Sequence, residues 1–167
     1  ATRSSSGSIP SIVRDLASHL LVNSFDIVFI ETVGAGQSEI RCAAIADRIV
    51  VVEGPARGDG IQAEKAGLLE LADLIVVNKS DLEGSDRVVN DLTISLGLTT
   101  EAPPIIKTSV VNGEGLEQLA EIIFSLKPRN SSKRARYRQQ LLMAHENNIT
   151  RNPRFEEVLD RMSEEGL

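Results

Sequence analysis

Aromatic side chains are scarce in this sequence: of 167 residues none is tryptophan, one is tyrosine and four are phenylalanine. Any core must be built from Ile, Val, Leu and Ala, within an apolar fraction of 41%. A single domain of this length is long enough to bury one. The only cysteine, Cys42, excludes an internal disulfide framework and suits a reducing compartment. Set beside alanines, it reads as a small buried residue rather than a nucleophile. His145 has no Cys or His nearby and is not a convincing metal ligand; His19 reads as solvated. A net charge of −6 argues against non-specific nucleic-acid binding. No run approaches the ~20 apolar residues of a membrane span, and no signal-peptide pattern is present. The first residue is Ala, so the chain is expected to be a fragment or a processed piece. Also missing is any Gly-x-x-x-x-Gly-Lys-Ser/Thr string, the loop that supplies a backbone cradle, a lysine and a hydroxyl to phosphates and their metal.

What is present centres on residues 25–38. Five of the six residues at 25–30 are apolar, and the run ends in Glu31 and then a turn containing Gly34 and Gly36. A continuous apolar run bounded by turn residues predicts a strand buried on both faces, as in a parallel sheet. Ligands of open α/β sheets sit beyond the carboxyl ends of such strands. Glu31 is therefore placed to organise a cation, and the glycines let backbone N–H groups approach an anion. A second apolar run at 74–77 ends in Asn78-Lys79-Ser80-Asp81. Guanine offers two parallel donors, its ring N–H and its exocyclic amine, and one fixed carboxylate accepts both; Asp81 has that chemistry. Adenine lacks the amine, and sites built on buried polar pairing reject such analogues by roughly 10⁴-fold or more. Lys79 can lay its alkyl stem over the base, and Asn78 can tie neighbouring loops together.

The two stretches together resemble the P-loop GTPases, and most closely the MeaB/ArgK family, GTPase chaperones of cobalamin-dependent acyl-CoA mutases. That family carries Glu-Thr-Val-Gly-x-Gly-Gln-Ser-Glu after its third strand, and residues 31–39 here read Glu-Thr-Val-Gly-Ala-Gly-Gln-Ser-Glu. The resemblance runs from Ala1 to about Lys127. It implies that Glu31 acts on Mg²⁺ through water, that the Gly34 N–H senses the γ-phosphate and that Gln37 orders water or a switch loop. It assigns Asn78, Lys79 and Asp81 to the guanine base, with the backbone at Ser109 and Val110 meeting the guanine carbonyl oxygen; Val110 stands where the family usually has Ala. Gly58, Asp59, Gln62 and Lys65 match a switch segment, although the family's Pro-Gly-Ala-Gly lead-in is Gly-Pro-Ala-Arg here. GTP or GDP and Mg²⁺ are the implied ligands. A B12-dependent mutase is the implied partner, a homodimer the implied state of the full-length parent, and cytoplasm, or mitochondrial matrix in a eukaryote, the implied location.

In order along the chain, residues 1–11 are polar and turn-rich. Ile12, Leu16, Leu20 and Leu21 recur at helical spacing, and 39–47 predict a short helix. A strand is expected at 48–53, helices at 64–71 and about 85–96, a last strand at 103–107, and an amphipathic helix from 116 to about 126. The fold class is α/β, a mainly parallel sheet with helices on both faces, in which the missing phosphate loop leaves one edge or the centre of the sheet incomplete. The division is a GTPase domain over 1–127 and a helical extension over 128–167, broken at Asn152-Pro153. Six basic side chains between 127 and 138 read as a solvated face, with a docking or dimerisation arm as the functional alternative. The function read from all this is GTP binding and hydrolysis in the parent, with this chain alone inactive. Alternatives are a non-hydrolysing remnant that binds a partner, a GTPase domain cut from a fused acyl-CoA mutase, and a nickel-insertion GTPase, which usually brings His-rich or Cys-x-Cys segments absent here.

Overall fold

The structure, a computed structural model, describes residues 12–32, 40–41, 45–55, 63–97 and 101–165, with the backbone alone at 63–66 and 165. Three short strands, β1 (Val50–Glu53), β2 (Leu74–Asn78) and β3 (Ile105–Thr108), form a parallel sheet in the order β1-β2-β3. β-Branched residues dominate all three, as suits a pleated, closely packed surface. The register pairs Val51 with Ile75 and Ile75 with Ile105. Parallel neighbours need crossover connections, and helices α2 (Ala63–Leu71) and α3 (Ser85–Leu96) provide them.

Alternation along β2 sends its side chains to two separate cores. Ile75 and Val77 pack with Val51, Leu69, Ala72, Leu92 and Leu96 on one face. Leu74 and Val76 pack with Ile106 on the other, under Leu119, Ile122, Ile123 and Leu126. The second set belongs to α4 (Leu116–Ser125) and the residue after it, and its spacing of three, four and seven places it along one helical stripe. Helices thus cover both faces, as expected. Two further helices follow, α5 (Asn130–Thr150) and α6 (Phe155–Glu165), with the break between them at Arg151 to Arg154, around Asn152-Pro153. The helix expected from Ile12 onwards is α1 (Ile12–Asn23), but none of its residues is buried. Ile40 and Arg41 are helical, within the short helix expected at 39–47.

The strand expected at 25–30 does not form. The segment belongs to no strand of the sheet and is only partly covered, with Phe29 exposed at 74%. An apolar run becomes a buried strand only if a neighbour takes up its backbone N–H and C=O groups, and no strand pairs with it among the described residues. Asp26, Ile27 and Phe29 instead line an open cleft against Ala120, Ile123 and Phe124 of α4.

The basic segment departs from a solvated face at two positions. Arg136 is 5% exposed and donates to the fully buried Asp73 carboxylate at 3.0 Å. The same carboxylate accepts the backbone N–H groups of Ile49 and Arg129, both at 3.0 Å, and the Ser132 hydroxyl. Arg129 turns its guanidinium onto the Glu70 and Ala72 carbonyls that close α2, and onto the Glu101 carbonyl. A cation there suits the negative end of a helix. Burial pushes this guanidinium below the usual arginine value, with the nearby Asp73 opposing. Lys127, Lys133, Arg134 and Arg138 are exposed, as a solvated run requires.

Candidate guanine-recognition site

Beyond the carboxyl ends of β2 and β3, two loops meet. The β2 loop begins at Asn78, whose side-chain oxygen accepts the Lys79 N–H at 2.8 Å and the Thr108 hydroxyl at 3.3 Å. One amide side chain therefore fixes its own turn and ties it to the neighbouring strand. The turn is tight enough to hold Lys79 at φ 61°, a left-handed conformation uncommon for a residue with a Cβ. The Ser80 N–H continues the join, donating to the Thr108 carbonyl at 3.0 Å.

The β3 loop is built around Ser109, which is fully buried. Its hydroxyl donates to an oxygen of the Asp81 carboxylate and accepts the Val111 N–H at 3.2 Å. Its own N–H donates to the Glu114 carbonyl at 3.0 Å. Of the three successive amides at 109–111, those of Ser109 and Val111 are thus committed within the loop. The Val110 N–H makes no hydrogen bond among the described residues, and the Val110 side chain is exposed. An anchored carboxylate, open to solvent on Asp81, lies one hydroxyl away from a loop with an unclaimed amide. The pair offers an acceptor for two parallel donors and a donor for a carbonyl, the complement of one edge of guanine.

Glu114 and Lys107 complete the surroundings. The Ser80 hydroxyl donates to Glu114 Oε2 at 2.6 Å, and the Glu114 N–H donates to the Asn112 side chain at 3.0 Å. Lys107 pairs with Asp86 of α3 at 2.9 Å, a hydrogen bond that holds its ammonium above the usual lysine value. Gly115, at φ +69°, passes so near β3 that a Cβ there would stand 2.1 Å from the Lys107 carbonyl oxygen. Glycine is required on both counts.

Asn78, Lys79, Asp81, Ser109 and Val110 are therefore brought together. Glu31 is exposed, at the end of the segment beside α4, and makes no hydrogen bond or ion pair among the described residues. Gly34, Gln37, Gly58, Asp59 and Gln62 lie outside the described residues, as does the side chain of Lys65, whose backbone is in α2. Among the described residues no three His, Cys, Asp or Glu side chains gather as a metal site, and no helix is long and apolar enough to cross a membrane. The local motif did not reveal Ser80, Thr108 or Glu114. A hydroxyl at Ser80 followed, after the next strand, by an acid between two glycines was the available signal.

A family model described as methylmalonyl Co-A mutase-associated GTPase MeaB matches residues 1–166. A protein of Pyrococcus horikoshii whose name gives it as a GTPase is 42% identical over 130 residues, covering 74% of this chain and 41% of that protein. A Mycobacterium tuberculosis protein, also named a GTPase, is 36% identical over 125 residues, covering 70% of this chain and 37% of its own. The mouse mitochondrial methylmalonic aciduria type A homolog is 33% identical over 125 residues, 68% of this chain and 30% of that one. The chain thus spans about two-fifths or less of the length of these curated relatives.

Proposed function

Since the chain belongs to the MeaB family of GTPases, we propose that the loops after β2 and β3 read the guanine base of GTP or GDP. Asp81 accepts the ring N–H and the amine, the Val110 N–H donates to the guanine carbonyl oxygen, and Lys79 covers the ring. The observation that carries this reading is the anchored Asp81 carboxylate beside the Val110 amide, which is uncommitted among the described residues. Asp81→Asn replaces an acceptor oxygen with a donor. It is expected to weaken GDP by about 100-fold, the loss of the amine's hydrogen bond to a charged group and the donor–donor contact that replaces it, and to favour xanthosine diphosphate, whose base has an acceptor where guanine has its amine. Equal GDP affinity in the two proteins, measured by calorimetry, removes the base-reading role from Asp81.

The same proposal extends to the parent protein. Glu31 would hold Mg²⁺ through water, and a lone exposed carboxylate suits an ion that keeps most of its waters and binds mainly through substrate phosphates. Bound there, the ion would offset phosphate charge. The Gly34 N–H and Gln37 would face the γ-phosphate and its water, and Gly58, Asp59, Gln62 and Lys65 would form a switch. The full protein is then a GTP-hydrolysing chaperone of a cobalamin-dependent acyl-CoA mutase, in the cytoplasm or, in a eukaryote, the mitochondrial matrix; the family description, which ties the group to methylmalonyl Co-A mutase, supports this. Residues 1–127 would form the GTPase part and 128–167 a docking or dimerisation arm. Support for the arm comes from α5 and α6, which leave Leu141, Leu142, Val158, Leu159 and Met162 exposed. A second reading, a binding module without hydrolysis, is favoured for these 167 residues by the lack of a phosphate-loop motif.

A further inference from the structure

We infer that Glu114 is a specificity-positioning residue, which sets the distance between the carboxylate and the amide that read the base. The inference rests on the guanine-reading proposal and adds to it a residue that does not touch the nucleotide. Glu114 is bonded to both loops, in addition to the direct Ser109–Asp81 hydrogen bond between them. Its carboxylate takes the Ser80 hydroxyl at 2.6 Å, next to Asp81 in the β2 loop. Its backbone carbonyl takes the Ser109 N–H at 3.0 Å, next to Val110 in the β3 loop. Its own N–H is held by Asn112 at 3.0 Å, and the following residue is a glycine pressed against the Lys107 carbonyl. Glu114 therefore has little freedom to shift without moving one loop against the other.

The chemistry suits the task. A carboxylate accepting a hydroxyl forms a short, charge-assisted bond, stronger than one between neutral groups. It bridges segments 34 positions apart in the chain, so no local turn can replace it. Guanine recognition needs both Asp81 oxygens level with the ring N–H and the amine while the Val110 N–H meets the carbonyl oxygen. A small displacement of one loop relative to the other spoils that three-point match. Hypoxanthine keeps the ring N–H and the carbonyl but lacks the amine, so it depends less on the match.

The test compares guanosine diphosphate with inosine diphosphate, titrated into the isotopically labelled protein and followed by the amide resonances of 78–81 and 109–115. In Glu114→Ala the preference for the guanine nucleotide is expected to narrow by about tenfold, the lower end of what one hydrogen bond to a charged group contributes. Glu114→Gln, which keeps an acceptor for Ser80, is expected to restore most of the preference. Ser80→Ala is expected to reproduce the Glu114→Ala result, and the double variant to add nothing. A residue that merely supports the fold would lower both affinities together, so an unchanged ratio in Glu114→Ala overturns the positioning role. A wild-type protein with no preference between the two nucleotides overturns instead the base-reading proposal beneath it.

Discussion

Gly115 shows how narrowly single atoms decide this site. It joins a positive φ to a close approach to β3, and either alone would disfavour a side chain. Gly115→Ala is expected to lower stability by about 3 kcal/mol, combining left-handed strain with a backbone clash that the neighbours cannot relieve. Urea unfolding followed by circular dichroism would measure it, and a midpoint within error of wild type would mean that the loop can swing off the strand. At this scale the sequence was partly legible. Asn78, Lys79 and Asp81 stand within four positions on a strand end, so local chemistry alone suffices to propose them. Glu114 and Thr108 act through partners 30 or more positions away, and nothing in their immediate neighbours announces the pairing.

Among the elements, α5 is the one whose role changes most between sequence and structure. A run of basic residues predicts a solvated face, yet Arg129, Ser132 and Arg136 turn inward at spacings of three and four, one side of a helix; Ser132, Arg136 and the Arg129 backbone N–H meet the Asp73 carboxylate just before β2, and the Arg129 guanidinium meets the carbonyls at the end of α2. Arg136→Met is expected to cost about 3 kcal/mol, because it leaves a buried charge without its cation. Replacing both partners, as Asp73→Leu with Arg136→Met, is not expected to restore wild-type stability. The Ile49 and Arg129 amides would lose their acceptor, at about 1–3 kcal/mol each. Denaturant unfolding of the single and double variants separates the cases, and a double variant as stable as wild type would show that those amides find other acceptors. The opposite error occurred at residues 25–30. Their composition has the letters of a buried strand, but a strand is a relation between two segments, and local pattern cannot supply the second. Strands β1, β2 and β3 and helices α1 and α3 were legible because their apolar spacing and turn residues agree within one short window.

For the molecule as a whole, the parallel sheet separates two jobs. The loops proposed to read the base gather beyond the carboxyl ends of β2 and β3. The Asp73 network fastens α5 near the opposite ends, through the residues just before β1 and β2. The proposed binding site and the fastening are thereby kept apart along the same strand. The 167 residues alone are expected to release no phosphate from GTP above the buffer rate, because no motif among them grips the phosphates. Magnesium-dependent release in a malachite-green assay would show that other residues serve that need. One further consequence belongs to β1, which is bonded to β2 and to no other strand among the described residues, with Val52 exposed at 58%. A strand at the edge of a sheet is a template for pairing with identical copies. Colloidal behaviour is therefore tied to the same sheet that builds the site: concentrated solutions of these 167 residues are expected to favour cloudiness over clarity, and Val52→Lys is the simplest remedy.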